Sequence, residues 1–164
     1  METIRTAILS VSLLTVGVMA GLFFAYSNSV MPALRRSDDH TFVEAMQKIN
    51  VAILNGRFFL FFIGALIATI IAAAVHLGGG SRRVLPWVLV ALVLYLAVII
   101  ITGTVNVPLN NKLNDAGDVN KITNLSAVRE SFELVWIRWN LARTVCSIGA
   151  FIALIGALIV HLKK

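Results

Sequence analysis

Residues 84–104 read VLPWVLVALVLYLAVIIITGT, an apolar run without Asp, Glu, Lys or Arg. A helix rises about 1.5 Å per residue, so a run of this length crosses the roughly 30 Å of hydrocarbon in a bilayer. Three more runs, at residues 4–26, 58–77 and 144–162, are also long enough, and Arg5 at the edge of the first is their one residue of those four types. The sequence therefore predicts an all-α fold, a four-helix transmembrane bundle.

The composition agrees with this class of protein. Hydrophobic residues make up 59% and charged residues 13% of the 164 residues, whereas soluble domains have roughly 45 to 50% and about 25%. The first run is longer than the core of a secretory signal, so we interpret it as a retained helix. Four spans leave no stretch for a second core, and residues 1–164 are predicted to form a single integral membrane domain.

The net charge of +6 does not indicate a nucleic-acid partner, because the 14 basic residues are spread among loops and not along one face. Membrane lipids with anionic headgroups are the expected partners of these residues. Cys146 is the single cysteine, which excludes an internal disulfide, and we interpret it as a small buried apolar residue.

Two long connections (residues 27–57 and 105–143) and one short connection (residues 78–83) join the runs. The short connection makes the second and third helices antiparallel neighbours, so both long connections emerge on the opposite membrane face. Basic residues are densest on the membrane side that carries both termini and the short connection. They are Arg5, Arg82, Arg83, Lys163 and Lys164. The positive-inside rule then predicts a multi-pass protein of the cell membrane with both termini in the cytoplasm.

Each long connection is predicted to contain an amphipathic loop helix, and both helices lie on the same membrane face. In the first connection Thr41 and Glu44 have the spacing of a capping box, and apolar residues recur at helical intervals at Phe42, Met46, Ile49 and Ile53. In the second, Ser126 is expected to cap a helix that continues into the fourth span. Its apolar stripe consists of Val128, Phe132, Val135 and Trp139.

The two halves of the chain share a pattern of span, proline, amphipathic helix and span. Residues 63–68 (IGALIA) match residues 148–153 (IGAFIA), and at the same offset Asn55 aligns with Asn140. This pattern indicates a duplication with a pseudo-twofold axis along the membrane normal. In the first span Gly17 and Gly21 form a small-residue face, which we interpret as internal packing, with a homo-oligomer as the other option.

Polar residues gather where the third run ends and the fourth begins. Asn106 and Asn110 flank Pro108 at a helix end, where their amides either cap freed backbone groups or bind a carbonyl or oxyanion in a polar cavity. Further along, five residues follow one side of the predicted helix: Arg129, Glu133, Trp136, Asn140 and Arg143.

Two of these features have alternative interpretations. Trp136 and Trp139 either stack on a planar ligand or belong to an interfacial aromatic belt. Arg143 either reaches the lipid headgroups or is a buried cation that pairs with an anionic substrate or with Glu133.

The histidines lie outside these motifs. His76 and His161 are both at the ends of spans, where interfacial side chains are the default interpretation. A haem or copper site formed by this pair is a secondary alternative, because no Cys, Asp or Glu accompanies either histidine at a ligand spacing.

Five segments carry a family resemblance: residues 31–34 (MPAL), 46–50 (MQKIN), 55–58 (NGRF), 106–110 (NVPLN) and 139–144 (WNLART). Together they resemble the anthrone oxygenase-like family of small four-span membrane proteins. The resemblance covers nearly the whole chain. It implies an oxidoreductase that converts the methylene of an anthrone to a quinone carbonyl with dioxygen, without a metal or flavin. We expect the substrate to be a lipophilic aromatic, anthrone- or quinol-like small molecule.

This chemistry needs a base, donors for a phenolate-like oxygen and an apolar pocket for the rings. The candidate donors are Asn106, Asn110 and Asn140, and Arg143 is the candidate cation that stabilises the anion. Glu133 is the candidate base on chemical grounds alone, because the resemblance itself assigns no base to any position. The expected substrate-binding residues are Gln47, Asn50, Asn55, Trp136 and Trp139. The alternative is a membrane module without catalysis, which binds a lipid or hydrophobic metabolite or serves as a partner subunit.

Overall fold

The computed structural model describes residues 2–78 and 82–163, and all regular elements in these two segments are helical. Four continuous helical stretches are long and apolar enough to cross a membrane: Glu2–Leu34, Gly56–Leu77, Leu85–Asp115 and Leu125–Leu162. The protein is therefore an all-helical membrane protein with four candidate spans, as predicted from the runs.

The seven α-helices are α1 (Glu2–Ala25), α2 (Met31–Leu34), α3 (Asp39–Ala52), α4 (Gly56–Leu77), α5 (Leu85–Ile101), α6 (Val107–Asp115) and α7 (Leu125–Leu162). Five-residue π-helical segments connect two pairs of them, Tyr26–Val30 between α1 and α2 and Thr102–Asn106 between α5 and α6. A short 3₁₀ helix, Val119–Lys121, lies between α6 and α7.

Both π-helical segments precede a proline, Pro32 in α2 and Pro108 in α6. A proline inside a helix cannot donate to the carbonyl four residues earlier, and its ring collides with that carbonyl. A wider turn in front of the proline relieves the collision and lets the helix continue. The prediction that the helix breaks at Pro108 was therefore wrong, since helical backbone continues to Asp115.

The four long helices form a closed ring in which α1 and α5 each pack against both α4 and α7. A π-helical segment before a proline occurs once in each half, and the duplication hypothesis stays a prediction. Packing of α4 against α5 agrees with a short connection between them, although Gly79, Gly80 and Ser81 lie outside the described residues. In the bundle centre the Tyr95 hydroxyl donates to the Phe62 carbonyl at 3.0 Å.

Gly17, the first glycine of the small-residue face on α1, lies where α1 packs closely against α7. A Cβ atom on Gly17 would lie 2.8 Å from a ring carbon of Phe151 on α7, whereas a Cβ on Gly21 would meet nothing within 4 Å. The Gly17 face therefore packs inside the bundle, as interpreted from the sequence.

The helix beginnings differ from those predicted. Asp38, not Thr41, caps α3: its carboxylate accepts from the Thr41 backbone N–H at 2.9 Å, and this bond lowers the pKa of Asp38. Asn124, not Ser126, caps α7 by accepting from Ala127 at 3.0 Å. Both true caps are Asx residues, which compete with Ser and Thr for this role.

The first long connection contains a separate helix, α3, but the second predicted loop helix is not a separate element. It is the beginning of α7, which runs without interruption from Leu125 to Leu162. Buried Phe42, Val43 and Met46 pack α3 against Phe132 and Trp136 of α7. This apolar cluster places α3 across one end of the bundle.

Candidate functional site

A partly enclosed cavity, here called the Arg143 cavity, lies beneath α3 where both π-helical segments meet α7. Its lining residues are Leu22, Phe23, Tyr26, Ile49, Asn50, Ile53, Leu54, Phe58, Thr102, Asn106, Val107, Asn110, Trp136, Asn140 and Arg143. The structure thus brings six of the ten predicted site residues into one place: Asn50, Asn106, Asn110, Trp136, Asn140 and Arg143.

Arg143 is the central charge of the cavity and is 6% exposed. Its guanidinium donates to Asn140 Oδ1 at 2.9 Å and, more weakly, to Thr102 Oγ1 at 3.4 Å. Phe23 and Trp136 present their rings to it, with centroids 4.6 and 5.4 Å from Cζ. Cation–π contacts of this kind lower the cost of burying a guanidinium but do not neutralise it.

No carboxylate in the described part of the chain forms an ion pair with Arg143, and its Nε–H has no hydrogen-bond acceptor. A charged side chain inside a membrane helix costs about 2.5 to 3.5 kcal/mol on insertion scales. The charge of Arg143 is therefore buried with cation–π contacts and two hydrogen bonds but without a carboxylate among the described residues.

Asn140 orients this cation. Its Nδ2 donates to the Phe23 carbonyl at 3.1 Å and to Ser27 Oγ at 2.8 Å, while its Oδ1 accepts from Arg143. Both amide donors are used, so Asn140 has no donor left for a ligand. The expected donor role at this position is replaced by a positioning role that ties α7 to the end of α1.

Two other amides keep unused polar atoms. Asn50 is 4% exposed, and its Nδ2 has no acceptor among the residues that the structure describes. Asn106 is 1% exposed, and its Nδ2 donates to the Trp136 carbonyl at 3.5 Å while its Oδ1 has no donor in the same part of the chain. Buried polar atoms are rarely left unpaired. The cavity therefore offers two donors, Asn50 and Arg143, and one acceptor, Asn106, to a ligand.

Trp136 forms a wall of the cavity and is held rigidly. Its indole Nε1–H donates to Asn110 Oδ1 at 2.8 Å, and its ring packs against Tyr26 with centroids 5.8 Å apart. The ring is buried, which supports the ligand-stacking interpretation for Trp136 over the aromatic belt. Trp139 is 40% exposed and does not line the cavity, as expected of the belt.

Gln47 and Asn55 also lie outside the Arg143 cavity. Gln47 Nε2 donates to the carbonyls of Leu113 and Gly117, both at 2.9 Å, which fastens α3 to the end of α6. Gly117 has φ of 82°, a left-handed conformation that suits glycine in this turn. Asn55 caps α4 by accepting from Phe58 N–H at 3.0 Å.

Glu133, the expected base, is held in a separate ion-pair cluster, here called the Arg129 network. Its carboxylate lies 2.6 Å from Arg129 Nε and 3.4 Å from Arg35 Nε. Arg129 also contacts Asp39 at 3.0 Å and donates to the carbonyl of Ser37. The network binds the beginning of α3 to α7, and Glu133 pairs with these arginines and not with Arg143.

His76 and His161 lie together at the other end of the bundle, with ring centroids 5.6 Å apart. His161 Nε2 is 3.0 Å from Thr6 Oγ1 and 3.5 Å from Glu2, and His76 Nδ1 is 2.7 Å from the Ala72 carbonyl. Among the described residues no three His, Cys, Asp or Glu side chains are close enough to hold a metal ion together. The pair does not belong to the Arg143 cavity.

Nine of the fifteen lining residues were not predicted as site residues, and three of them contact Arg143 or Trp136: Phe23, Tyr26 and Thr102. Thr102 had a usable signal, because it precedes Asn106 and Asn110 at intervals of four residues on the same helical face. Phe23 and Tyr26 had none that separates them from ordinary aromatic residues of a span.

These features define a class, a membrane protein with four candidate spans and a cavity around a buried arginine at one end of its bundle. The model of the anthrone oxygenase family matches residues 57–153, more than half of the chain. The protein belongs to this family, in agreement with the resemblance seen in the sequence. No curated protein matches the chain, and no solved structure does.

Proposed function

We propose that the protein is a membrane oxygenase that oxidises a lipophilic anthrone- or quinol-like aromatic in the Arg143 cavity, without a metal or flavin. Family membership supports the oxygenase class. The observation that carries the proposal is the buried Arg143, whose guanidinium has no carboxylate partner within residues 2–78 and 82–163 and lies beside the ring of Trp136. A delocalised aromatic anion fits both groups, since it supplies the counter-ion and a planar ring.

In the reaction that we propose, the substrate methylene loses a proton and becomes an anion spread over the rings and the carbonyl oxygen. Arg143 and Asn50 donate hydrogen bonds to that oxygen and so stabilise the charge as it develops. Dioxygen then adds to the carbon, and loss of water leaves a second carbonyl. The methylene and one dioxygen molecule are thereby converted to a carbonyl and one water molecule, so no further reductant is consumed.

In the membrane, we place both termini in the cytoplasm of a cell-membrane protein. The basic residues of the terminal side support this orientation. In this arrangement α3 and the beginning of α7 are amphipathic elements on the membrane face opposite the cytoplasm. Their apolar residues are directed toward the Arg143 cavity, and the Arg129 network is directed toward the aqueous side.

A second function uses the same cavity without chemistry. The complete internal bonding of Asn140 and the Asn110–Trp136 bond favour a rigid binding site for a lipid or hydrophobic metabolite. The two functions share the ligand and the cavity but differ in turnover.

Turnover by the purified protein in lipid nanodiscs separates these functions. We expect anthrone under oxygen to form anthraquinone faster than in protein-free nanodiscs, with one oxygen atom of labelled dioxygen in the new carbonyl. Heat-denatured protein is the control for surface effects. A rate equal to that of protein-free nanodiscs, with anthraquinone still binding, would establish the binding function instead.

Asn106→Leu is expected to move stability and binding in opposite directions. The substitution removes a buried acceptor without a donor, so the free energy of unfolding should rise by about 1 kcal/mol. The ligand loses its acceptor, and its affinity should fall about tenfold, or about 1.4 kcal/mol. Thermal unfolding in detergent and titration with a hydroxyanthraquinone measure the two effects. Lower stability together with unchanged affinity contradicts the ligand role of Asn106.

Tyr26 is assigned the proton-transfer role that Glu133 cannot take from its position: its phenolate accepts the methylene proton, and the resulting phenol returns that proton to the peroxide that forms when dioxygen adds, which leaves as part of the water. Tyr26 is half-buried, and it and Arg143 are the two ionisable side chains among the described residues that line the cavity. Tyr26→Phe keeps the ring contact with Trp136 but removes the hydroxyl, so kcat should fall about 100-fold. Hydroxyanthraquinone affinity should stay within about threefold of the wild type. A variant with unchanged kcat would remove Tyr26 from the mechanism.

A further inference from the structure

The mouth of the Arg143 cavity is apolar although its interior is polar. Among the described lining residues, those with exposed side chains are Leu54, 63% exposed, and Val107, 40% exposed. Arg143, Asn50 and Asn106 are all buried behind them. A pocket that receives its ligand from water commonly has polar groups at its rim, so this distribution points to another source.

The surface around the mouth continues into the apolar surface of the bundle. Leu54 lies in the turn between α3 and α4, and Phe59 and Leu60 follow it as exposed apolar residues one to two turns along. Arg57 is exposed between them, at the level where a basic side chain can reach lipid headgroups from the start of a span. The mouth therefore faces the boundary between the hydrocarbon and the headgroups.

We propose that the ligand enters the Arg143 cavity sideways from the bilayer, between Leu54 and Val107, and not from the aqueous phase. The partner of this surface is thus the lipid phase with a dissolved lipophilic aromatic. The inference rests on the proposed function for the identity of the ligand but concerns its route. The adjacent wall is formed by Ile49 of α3 and by Ile53 directly after it, so the polar edge of the ligand reaches Arg143 while its apolar body remains at the mouth.

The route can be measured on the wild-type protein with a series of probes. Hydroxyanthraquinones that carry alkyl chains from methyl to hexyl are mixed with nanodiscs at one fixed lipid mole fraction, and association is followed by fluorescence. Each added CH₂ favours lipid by about 0.8 kcal/mol, so the aqueous concentration falls about 1,000-fold across the series. Entry from lipid predicts association rates within about threefold of one another, whereas entry from water predicts rates that fall with the aqueous concentration.

Variants of the mouth provide a second test. Leu54→Trp and Val107→Trp narrow the opening, so the association and dissociation rates should both fall about tenfold while Kd changes by less than about threefold. Val51→Trp is the matched control, because Val51 is 65% exposed about one turn before Leu54 and does not line the cavity. Its rates should match those of the wild type, and thermal unfolding confirms that each variant folds.

Association rates that follow the aqueous concentration overturn the proposed route, as does an equal slowing by Val51→Trp. Absence of binding by every probe overturns the route together with the binding site. Binding at rates set by the lipid fraction, without oxidation of anthrone, supports the route and overturns the oxygenase alone.

Discussion

Arg143→Met is expected to abolish most of the ligand binding and turnover of the protein. Methionine keeps the length and apolar character of the arginine stem but removes the charge. An anionic ligand then loses its counter-ion in a buried site, so affinity for a hydroxyanthraquinone should fall about 100-fold, or about 2.7 kcal/mol. Anthrone oxidation should fall by at least the same factor, because the charge is largest in the anion that precedes oxygen addition.

The absorption of the probe reports the same interaction directly. A hydroxyanthraquinone changes colour when its phenol ionises, and the wild-type cavity should bind the ionised form at a pH where the free probe is neutral. Arg143→Met should not produce this change. Arg138→Met on the same helix is the control, because Arg138 is exposed and lies outside the cavity. An Arg143→Met protein that binds and oxidises within threefold of the wild type contradicts the assignment.

Glu133→Ala is expected to destabilise the protein by about 3 kcal/mol, since it leaves Arg129 without its closest carboxylate in a mostly buried network. The Glu133 and Arg129 side chains are 11% and 12% exposed, so solvent compensates little for the lost partner. The beginning of α3 should loosen with the network. Thermal unfolding in detergent followed by circular dichroism measures the change.

Glu130→Ala is the matched control for this prediction. Glu130 is exposed one turn away, and its carboxylate accepts from Ser126 at 3.2 Å, so its loss should cost less than about 0.5 kcal/mol. Glu133→Gln should retain kcat in the folded protein, because the carboxylate lies outside the Arg143 cavity. Loss of turnover in a stable Glu133→Gln protein would show that Glu133, and not Tyr26, is the catalytic base.

Spacing along α7 predicted part of the site correctly. Trp136, Asn140 and Arg143 were placed on one side of a helix, and the structure has all three around one cavity. Glu133 belongs to the same line, yet it faces Arg129 and Arg35. Helical periodicity fixes which residues share a face, but the residues opposite that face come from distant parts of the chain.

The two tryptophans show the same limit at closer range. Trp136 and Trp139 are three residues apart, and both were expected to contact the ligand or the interface. A rotation of about 60° between them, from 3.6 residues per turn, directs one to the cavity and the other outward. The sequence alone did not indicate which of them faces α3, because that depends on how Phe42 and Met46 pack against Phe132.

By itself, the sequence determined that the chain is helical and has four runs able to cross a membrane. The physical reason is that hydrocarbon leaves no partner for free backbone groups, so each apolar run must satisfy them within its own helix. The tertiary structure alone decided that Arg143 is buried without a carboxylate from the described residues, that Asn140 orients it, and that Tyr26 and Thr102 join the cavity. Those facts depend on long-range packing of α1, α3, α5 and α7, which brings residues more than 100 positions apart into hydrogen-bond contact, as in the Asn140–Phe23 bond.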